Sequence, residues 1–139
     1  MDRVRLGISV PVLNNWSGLT LALNSIRTKH ELVHCIVNNG VHNLPVAAAW
    51  NLGISYLFKQ DCQYVLVIND DIIFSPITID ALVERAQVGD IEMVTGCNIK
   101  GQIEPEEIYG IRGAQNIDEH ENPDFSCFLI TPKCWEEVG

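Results

Sequence analysis

The segment YVLVIN, residues 64–69, is the feature that most constrains the fold, because it is an apolar run without polar alternation. A strand with one face in water alternates apolar and polar side chains, whereas a strand covered on both faces does not. Two similar runs precede it, ISVPVL and LVHCIV, and helix-like segments separate the three runs. In the first of these segments Leu19, Leu23 and Ile26 follow the i, i+4, i+7 spacing of one helical face. The order strand, helix, strand, helix, strand predicts right-handed crossovers and a mostly parallel α/β sheet flanked by helices.

Local signals predict where the other elements begin and end. Asn39-Gly40 predicts a turn, and Pro45 is placed for the first turn of the second helix. That helix is expected to have one face of Val46, Ala49, Gly53 and Tyr56. Ser75-Pro76 predicts the start of a third helix that ends at Gly89, and Thr131-Pro132 predicts the start of a short final helix. Between these two helices, IEMVTG and FSCFLI predict two further strands.

Length and composition indicate one domain with a substantial core. The 139 residues are 47% hydrophobic, and we expect no second domain. The net charge of −9 argues against nonspecific binding to nucleic acid. Five cysteines without C-x-x-C spacing are typical of buried, reduced thiols in a cytosolic protein. No apolar run approaches the length of a membrane span and no signal peptide opens the chain, so the sequence predicts a soluble, cytoplasmic protein.

The charges are unevenly distributed along the chain. Residues 1–60 contain five Lys or Arg against two Asp or Glu, whereas residues 61–139 contain four against sixteen. An anionic ligand bound near the acidic half would therefore need a cation or backbone donors as an intermediary.

Three of the predicted strands end in polar or turn-forming groups. These groups are Pro11 to Asn15, Asn38-Asn39-Gly40 and Asn69-Asp70-Asp71. Ligands of open parallel sheets bind at the carboxyl ends of the strands, so these groups are expected to form one site. Adjacent carboxylates repel each other, and Mg²⁺ or Mn²⁺ would compensate that repulsion. The alternative is that Asp70 and Asp71 only cap a turn or face water.

The order of these segments resembles the family 2 glycosyltransferases of the GT-A (Rossmann-like) fold. The matching segments are ISVPVLN, HCIVNNG, AAAWNLGI, YVLVINDDIIFSP and FSCFLITPKCWEEVG, spread over most of residues 6–139. The resemblance implies a single domain, with residues 1–96 binding a nucleotide sugar and residues 97–139 forming the acceptor side. Family members continue beyond such a segment, so the acceptor part is expected to be small or truncated.

The family's binding residues map onto specific positions here. The resemblance implies that Pro11 and Val12 lie along the nucleotide base through their backbone. Asn38 and Asn39 occupy the place of the family's V-D-N-G turn, and Asn38 replaces the base-reading Asp. An amide still pairs with uracil, but it leaves the identity of the base open. Asn51 matches the Asn of the A-x-x-N-x-G segment, although a core-facing or capping amide is about equally expected.

The residues of the reacting end are also implied by the resemblance. Asn69-Asp70-Asp71 stands at the D-x-D motif, with Asp71 as the direct ligand of Mn²⁺ or Mg²⁺ and Asp70 reaching the ribose or metal-bound waters. Family members often have an Arg or Lys just before the Asn of the A-x-x-N-x-G segment, and Trp50 stands at that position here. The metal is therefore expected to neutralise most of the diphosphate charge. Asp124 corresponds to the catalytic base, with Glu121 and Glu119 in reserve. His120 is a candidate further metal ligand. The alternative for these residues is a solvated loop, and Trp135 either stacks on a sugar or packs on the sheet.

The resemblance thus implies a metal-dependent hexosyltransferase that moves a sugar from a nucleotide-diphosphate donor, with a UDP-sugar expected, to an unknown acceptor. Inversion is expected, but the residues leave retention open.

Two other functions are considered. A nucleotidyltransferase would need a basic, glycine-rich loop after the first strand, and PVLNNWSG has one Gly and no Lys or Arg. A non-catalytic nucleotide-binding or sugar-binding module is the third hypothesis.

Overall fold

One five-stranded sheet organises the part of the chain that the structure describes. This computed structural model describes residues 3–89, 93–95 and 126–138. The strands are β1 Arg5–Val12, β2 Glu31–Asn38, β3 Tyr64–Ile68, β4 Met93–Thr95 and β5 Cys127–Ile130. The helices are α1 Trp16–Asn24, α2 Asn39–His42, α3 Val46–Lys59, α4 Thr78–Gln87 and α5 Pro132–Val138. The spatial order of the strands is β2-β1-β3-β5-β4.

The sheet is mixed, so the prediction of a mostly parallel sheet is wrong. β1 pairs in parallel with β2 and with β3, as the crossovers predicted. β5 lies between β3 and β4 and is antiparallel to both. The direction of β5 was not predictable from its pattern, because all four residues of CFLI are buried and a strand buried on both faces has the same pattern in either direction.

Helices cover both faces of the sheet. On one face, Ile8 and Val10 of β1 pack with residues of α1 and α4 in a single cluster. On the other face, Val65 and Val67 of β3 pack with residues of α3 and with Phe128 in a second cluster. The prediction that both faces of β3 are covered is therefore confirmed, since residues 65–68 are 0–1% exposed.

Several predicted boundaries need correction. The expected Asn39-Gly40 turn is the start of the short helix α2. The helix predicted to start at Ser75-Pro76 begins at Thr78, because the hydroxyls of Ser75 and Thr78 bond to each other, 2.6 Å apart, in a turn that precedes it. The predicted start of α5 is confirmed, because the Thr131 hydroxyl accepts a hydrogen bond from the Cys134 backbone N–H at 3.3 Å.

The buried face of α3 also differs from the prediction. Ala49 and Gly53 are buried as expected, but Val46 is 59% exposed and Tyr56 is 47% exposed. Ile54 and Leu57 are buried in the core instead, so the buried face of α3 is turned around the helix axis relative to the predicted face.

α3 lies close to β1, and Gly53 permits this approach. A Cβ added at Gly53 would lie 1.9 Å from Ser9 Oγ and 3.1 Å from Ser9 Cβ. The Ser9 hydroxyl is fully buried and has no hydrogen-bond partner among the described residues. The short distance between helix and strand thus depends on a glycine and a small side chain at one crossing point.

His30 connects the beginning of β1 to the beginning of α4. Its Nδ1 accepts a hydrogen bond from the Val4 backbone N–H at 3.0 Å, so the neutral ring has its proton on Nε2. Nε2 is 3.7 Å from the Asp80 carboxylate, which accepts hydrogen bonds from the Thr28 hydroxyl and the Lys29 backbone N–H. Burial lowers the pKa of His30 below its ordinary value of 6.5, although Asp80 opposes the shift.

Gly53→Ala should lower the melting temperature, because the new methyl group would overlap Ser9 Oγ, and overpacking costs about 1–3 kcal/mol. Without a clash, alanine in a helix would stabilise the protein by about 0.5–1 kcal/mol. Thermal unfolding of Gly53→Ala, Ser9→Gly and the double variant measures the effect. The double variant should be more stable than the sum of the stability losses of the two single variants predicts. If Gly53→Ala instead raises the melting temperature, α3 and β1 do not approach each other this closely.

The free energy of unfolding should fall as the pH drops below about 6.5. Because the folded pKa of His30 is lower than the unfolded pKa, the unfolded chain binds the proton first, so stability is greatest above the unfolded value and is lost as the pH falls through the folded pKa. Urea unfolding from about pH 5 to 8 tests this, with His30→Asn as the control that does not titrate in this range. Identical pH profiles for the two proteins would show that His30 contributes nothing.

Candidate functional site

The carboxyl ends of β1, β2 and β3 meet at one edge of the sheet, as the sequence predicted. Val12, the last residue of β1, pairs directly with Asn38, the last residue of β2. On the other side of β1, Ser9 pairs with Val67, so β3 ends at the same edge. Neighbouring strands lie about 4.8 Å apart, which separates the end of β2 from the end of β3 by about 10 Å.

Two glycines permit close contacts between the segments at this edge. A Cβ on Gly40 would lie 2.5 Å from the Leu13 carbonyl oxygen, and a Cβ on Gly18 would lie 2.5 Å from the Asp70 carbonyl oxygen. The loop after β2 therefore packs against the loop after β1, and the first turn of α1 packs against the loop after β3. Asn15 caps this first turn by accepting a hydrogen bond from the Gly18 N–H at 3.1 Å. The three loops form one continuous surface.

The two adjacent amides at the end of β2 differ in their contacts. The Asn39 side chain accepts a hydrogen bond from the Leu44 N–H at 2.7 Å and donates one to the Leu44 carbonyl at 3.0 Å. Both of its polar atoms are therefore used within the protein. The half-buried Asn38 precedes α2 and makes no side-chain capping bond. Of the two predicted ligand contacts, Asn38 is the more available one.

The acidic pair lies at the end of β3. The Asn69 backbone N–H donates to the Ser126 carbonyl at 2.9 Å, which extends the β3–β5 pairing by one residue. Asp70 is half-buried and Asp71 is exposed, and both lie in the turn that follows. Within the described ranges, neither carboxylate has a hydrogen bond or ion pair from another side chain. Their oxygens are available to a ligand.

The basic residues of the first half lie at the opposite edge of the sheet. Arg3 and Arg5 are at the beginning of β1, Arg27 and Lys29 precede β2, and Lys59 ends α3 before β3 begins. The loops at the carboxyl edge, residues 13–15, 39–45 and 69–71, contain no Lys or Arg. The fold thus separates the cations of this half from the acidic pair.

The remaining predicted positions are divided between the edge, the helix surface and undescribed residues. Val12 is fully buried and Pro11 is half-buried, so a ligand at Val12 would meet only its backbone. Asn51 is exposed on α3, which excludes the core-facing alternative. Asp124 and His120, with Glu119 and Glu121, lie outside the described residues, as does the expected division of the chain at residue 96.

Sequence reasoning missed an aromatic groove on the α3 face. The groove has a volume of about 180 Å³ and is lined by Asn51, Trp50 and Trp135 together with residues of β4 and β5. Trp50 meets Phe128 edge-to-face at 5.1 Å between ring centroids, and Trp135 stacks on Phe58 at 6.2 Å. Trp135 packs against the second core cluster, as one of its two alternatives predicted. The sequence placed Trp135 four residues after Thr131, within the predicted final helix. It did not predict that α5 would pack against α3, which is the contact that forms the groove.

The edge offers a sparse donor set to a metal. Among the described residues, no group of three or more His, Cys, Asp or Glu side chains is arranged to hold an ion. The carboxylate oxygens that the described residues offer at this edge are those of Asp70 and Asp71. Mg²⁺ is commonly held by one or two carboxylates together with substrate phosphates and water, and this pair fits such a site.

Compared with known proteins, the sequence matches no family model and no curated protein. The helices within the described ranges are too short or too polar to cross a membrane.

Asn39→Asp should destabilise the protein more than Asn38→Asp. A carboxylate at position 39 cannot donate to the Leu44 carbonyl, and leaving that group unpaired costs about 1–3 kcal/mol. Asn38 has no capping bond to lose, so its substitution should change stability by less than about 0.5 kcal/mol. Urea unfolding of both variants measures the difference. Equal losses would mean that the bonds between Asn39 and Leu44 do not stabilise the loop.

Proposed function

We propose that this protein is a metal-dependent glycosyltransferase of the GT-A type, which binds a nucleoside diphosphate sugar at the carboxyl edge of its sheet. The observation that carries the proposal is that the carboxylates of Asp70 and Asp71, which bond to no other side chain among the described residues, lie at the same edge as Asn38, whose amide makes no capping bond. The resemblance to family 2 glycosyltransferases supplies the reaction class.

The spacing of the edge supports a nucleotide as the ligand. Asn38 and the acidic pair are separated by two strand spacings, about 10 Å, with the end of β1 between them. A base bound at Asn38 would therefore place its diphosphate near Asp71. Asn38 would hydrogen-bond the base, with uracil as the expected partner, and the backbone at Pro11 and Val12 would lie along it.

The charge distribution supports a divalent cation in this site. The described loops of the carboxyl edge have no Lys or Arg to neutralise a diphosphate. Asp71 would hold Mn²⁺ or Mg²⁺ directly, and Asp70 would bond the ribose or metal-bound waters. The bound cation would stabilise the negative charge of the departing nucleoside diphosphate.

The acceptor half of the reaction depends on residues outside the described ranges. Asp124 is the proposed base that takes the proton of the acceptor hydroxyl, and His120 is a proposed further ligand. Asn51 lines the aromatic groove, and a nucleotide contact for it stays a prediction. The cytoplasmic location and the UDP-sugar donor also stay predictions.

Mn²⁺ with UDP should raise the melting temperature, whereas either one alone should raise it less. A ligand at 100 times its Kd stabilises a folded protein by about 2.7 kcal/mol. Asp71→Asn should abolish the shift that requires both components. Asp61→Asn is the matched control, because Asp61 is an exposed Asp at the opposite edge and asparagine tolerates its positive φ of 64°. If Asp71→Asn keeps the full shift, the metal assignment is wrong.

Product analysis separates the three functional hypotheses. A glycosyltransferase incubated with Mn²⁺ and a panel of nucleotide sugars should release nucleoside diphosphate slowly, with water as a poor acceptor. Release of pyrophosphate from a nucleoside triphosphate and a sugar 1-phosphate would instead indicate a nucleotidyltransferase. Nucleotide-sugar binding without turnover over long incubation with varied acceptors would indicate a binding module.

A further inference from the structure

The strand β2 lies at the edge of the described sheet, where it pairs with β1 alone. The Glu31 N–H donates to the Val4 carbonyl at 3.0 Å, so the backbone groups of Glu31 point toward β1. Backbone direction alternates along a strand, and the odd-numbered residues of β2 therefore bond to β1. The even-numbered residues direct their N–H and C=O groups outward: Leu32, His34, Ile36 and Asn38.

Within the described residues, this edge has few of the features that usually protect an edge strand. Natural proteins block such edges with Lys, Pro, bulges or very short strands. β2 is eight residues long, contains no Lys or Pro, and pairs with β1 residue for residue without a bulge. A row of regular, outward-directed backbone groups is left for another strand.

The side chains beside this edge are apolar and incompletely covered. On one face Leu32 and Ile36 are half-buried, and on the other face Val33 and Cys35 are half-buried. At 100° per residue, Leu52 and Tyr56 of α3 lie on the flank opposite Trp50, away from the aromatic groove, and each is 47% exposed. The apolar surface thus continues from the strand to the helix above it.

We propose that β2 pairs with β2 of a second copy of this chain, antiparallel and about a two-fold axis, so that the described sheet continues from one subunit into the other. The regular geometry of β2 allows this arrangement, because its outward-directed backbone groups are evenly spaced along eight residues. When the axis passes through Cys35, all four outward-facing residues are used, since Leu32 faces Asn38 of the partner subunit and His34 faces Ile36 of the partner subunit. Val33 faces Val37 of the partner subunit, which places apolar side chains opposite each other on the α3 face; Val33 is half-buried in one chain and Val37 is already buried there.

The same register places Cys35 opposite Cys35 of the partner subunit. Cys35 bonds inward to β1, so the two residues form a non-hydrogen-bonded pair, with Cα atoms about 4.5 Å apart. This distance lies within the range of about 4.4–6.8 Å that a disulfide requires. The pairing therefore has a chemical signature that does not depend on the proposed enzymatic function.

Light scattering after size-exclusion chromatography should give twice the mass of one chain. His34→Pro removes an outward N–H without breaking a bond to β1, so it should convert the dimer to a folded monomer. His34→Lys should do the same by placing two charges at the interface, and it keeps the backbone intact in case proline disturbs the fold. Ala81→Lys is the charge-matched control on the exposed surface of α4 and should remain dimeric.

Oxidation tests the register. Diamide at alkaline pH, which takes the two thiol hydrogens as the disulfide forms, should give a dimer band on a non-reducing gel through Cys35. Cys35→Ser should lose the dimer band on the gel but keep the dimeric mass in solution. The control Cys62→Ser should keep the band and the dimeric mass. His34→Pro should lose the band and the dimeric mass, although its Cys35 is unchanged. A monomeric protein, or a dimer that both His34 variants preserve, would overturn the proposal. A dimer without the Cys35 band would overturn this register.

Discussion

The parallel pairing of β1 with both β2 and β3 is the constraint on which the rest of the structure depends. It sends three strand ends to one edge and three strand beginnings to the other. β1 can occupy this position because both of its faces are buried: Leu6, Ile8 and Val10 lie in one core cluster, and the small residues Gly7 and Ser9 lie on the other face against α3. The crossing of Ser9 with Gly53 then brings α3 close enough to cover β1 and β2 together.

This arrangement separates charges by topology rather than by individual contacts. The basic residues of the first sixty positions fall at strand beginnings, where Arg5 pairs with Glu31 at 2.9 Å and Asp80 lies beside His30. The carboxyl edge receives amides and two carboxylates. An exposed ion pair such as that between Arg5 and Glu31 contributes little stability. The separation leaves the described carboxyl edge with two carboxylates and without Lys or Arg.

Elements whose apolar pattern reflects burial were predictable, because burial determines the pattern. β1 and β3 were expected from their unbroken apolar runs, and α5 from the Thr131-Pro132 signal. The direction of β5 was not predictable, since CFLI is buried either way. The start of α4 was misplaced because Ser75 and Thr78 bond to each other in a preceding turn. The exposed side of α3 was misjudged because that helix has apolar residues around most of its circumference.

The candidate site was predictable to a similar depth and for the same reason. Polar residues after buried strands must lie at a sheet edge, so the position of Asn38 and the acidic pair at the same edge followed from the parallel order. Which amide is available did not follow, because the choice depends on how Asn39 bonds across five residues to Leu44. Whether the polar atoms of a side chain are hydrogen-bonded within the protein depends in such a case on the conformation of the loop. It also sharpens the functional hypothesis, because it leaves Asn38 at one end of the edge and Asp71 at the other, with the backbone of β1 between them.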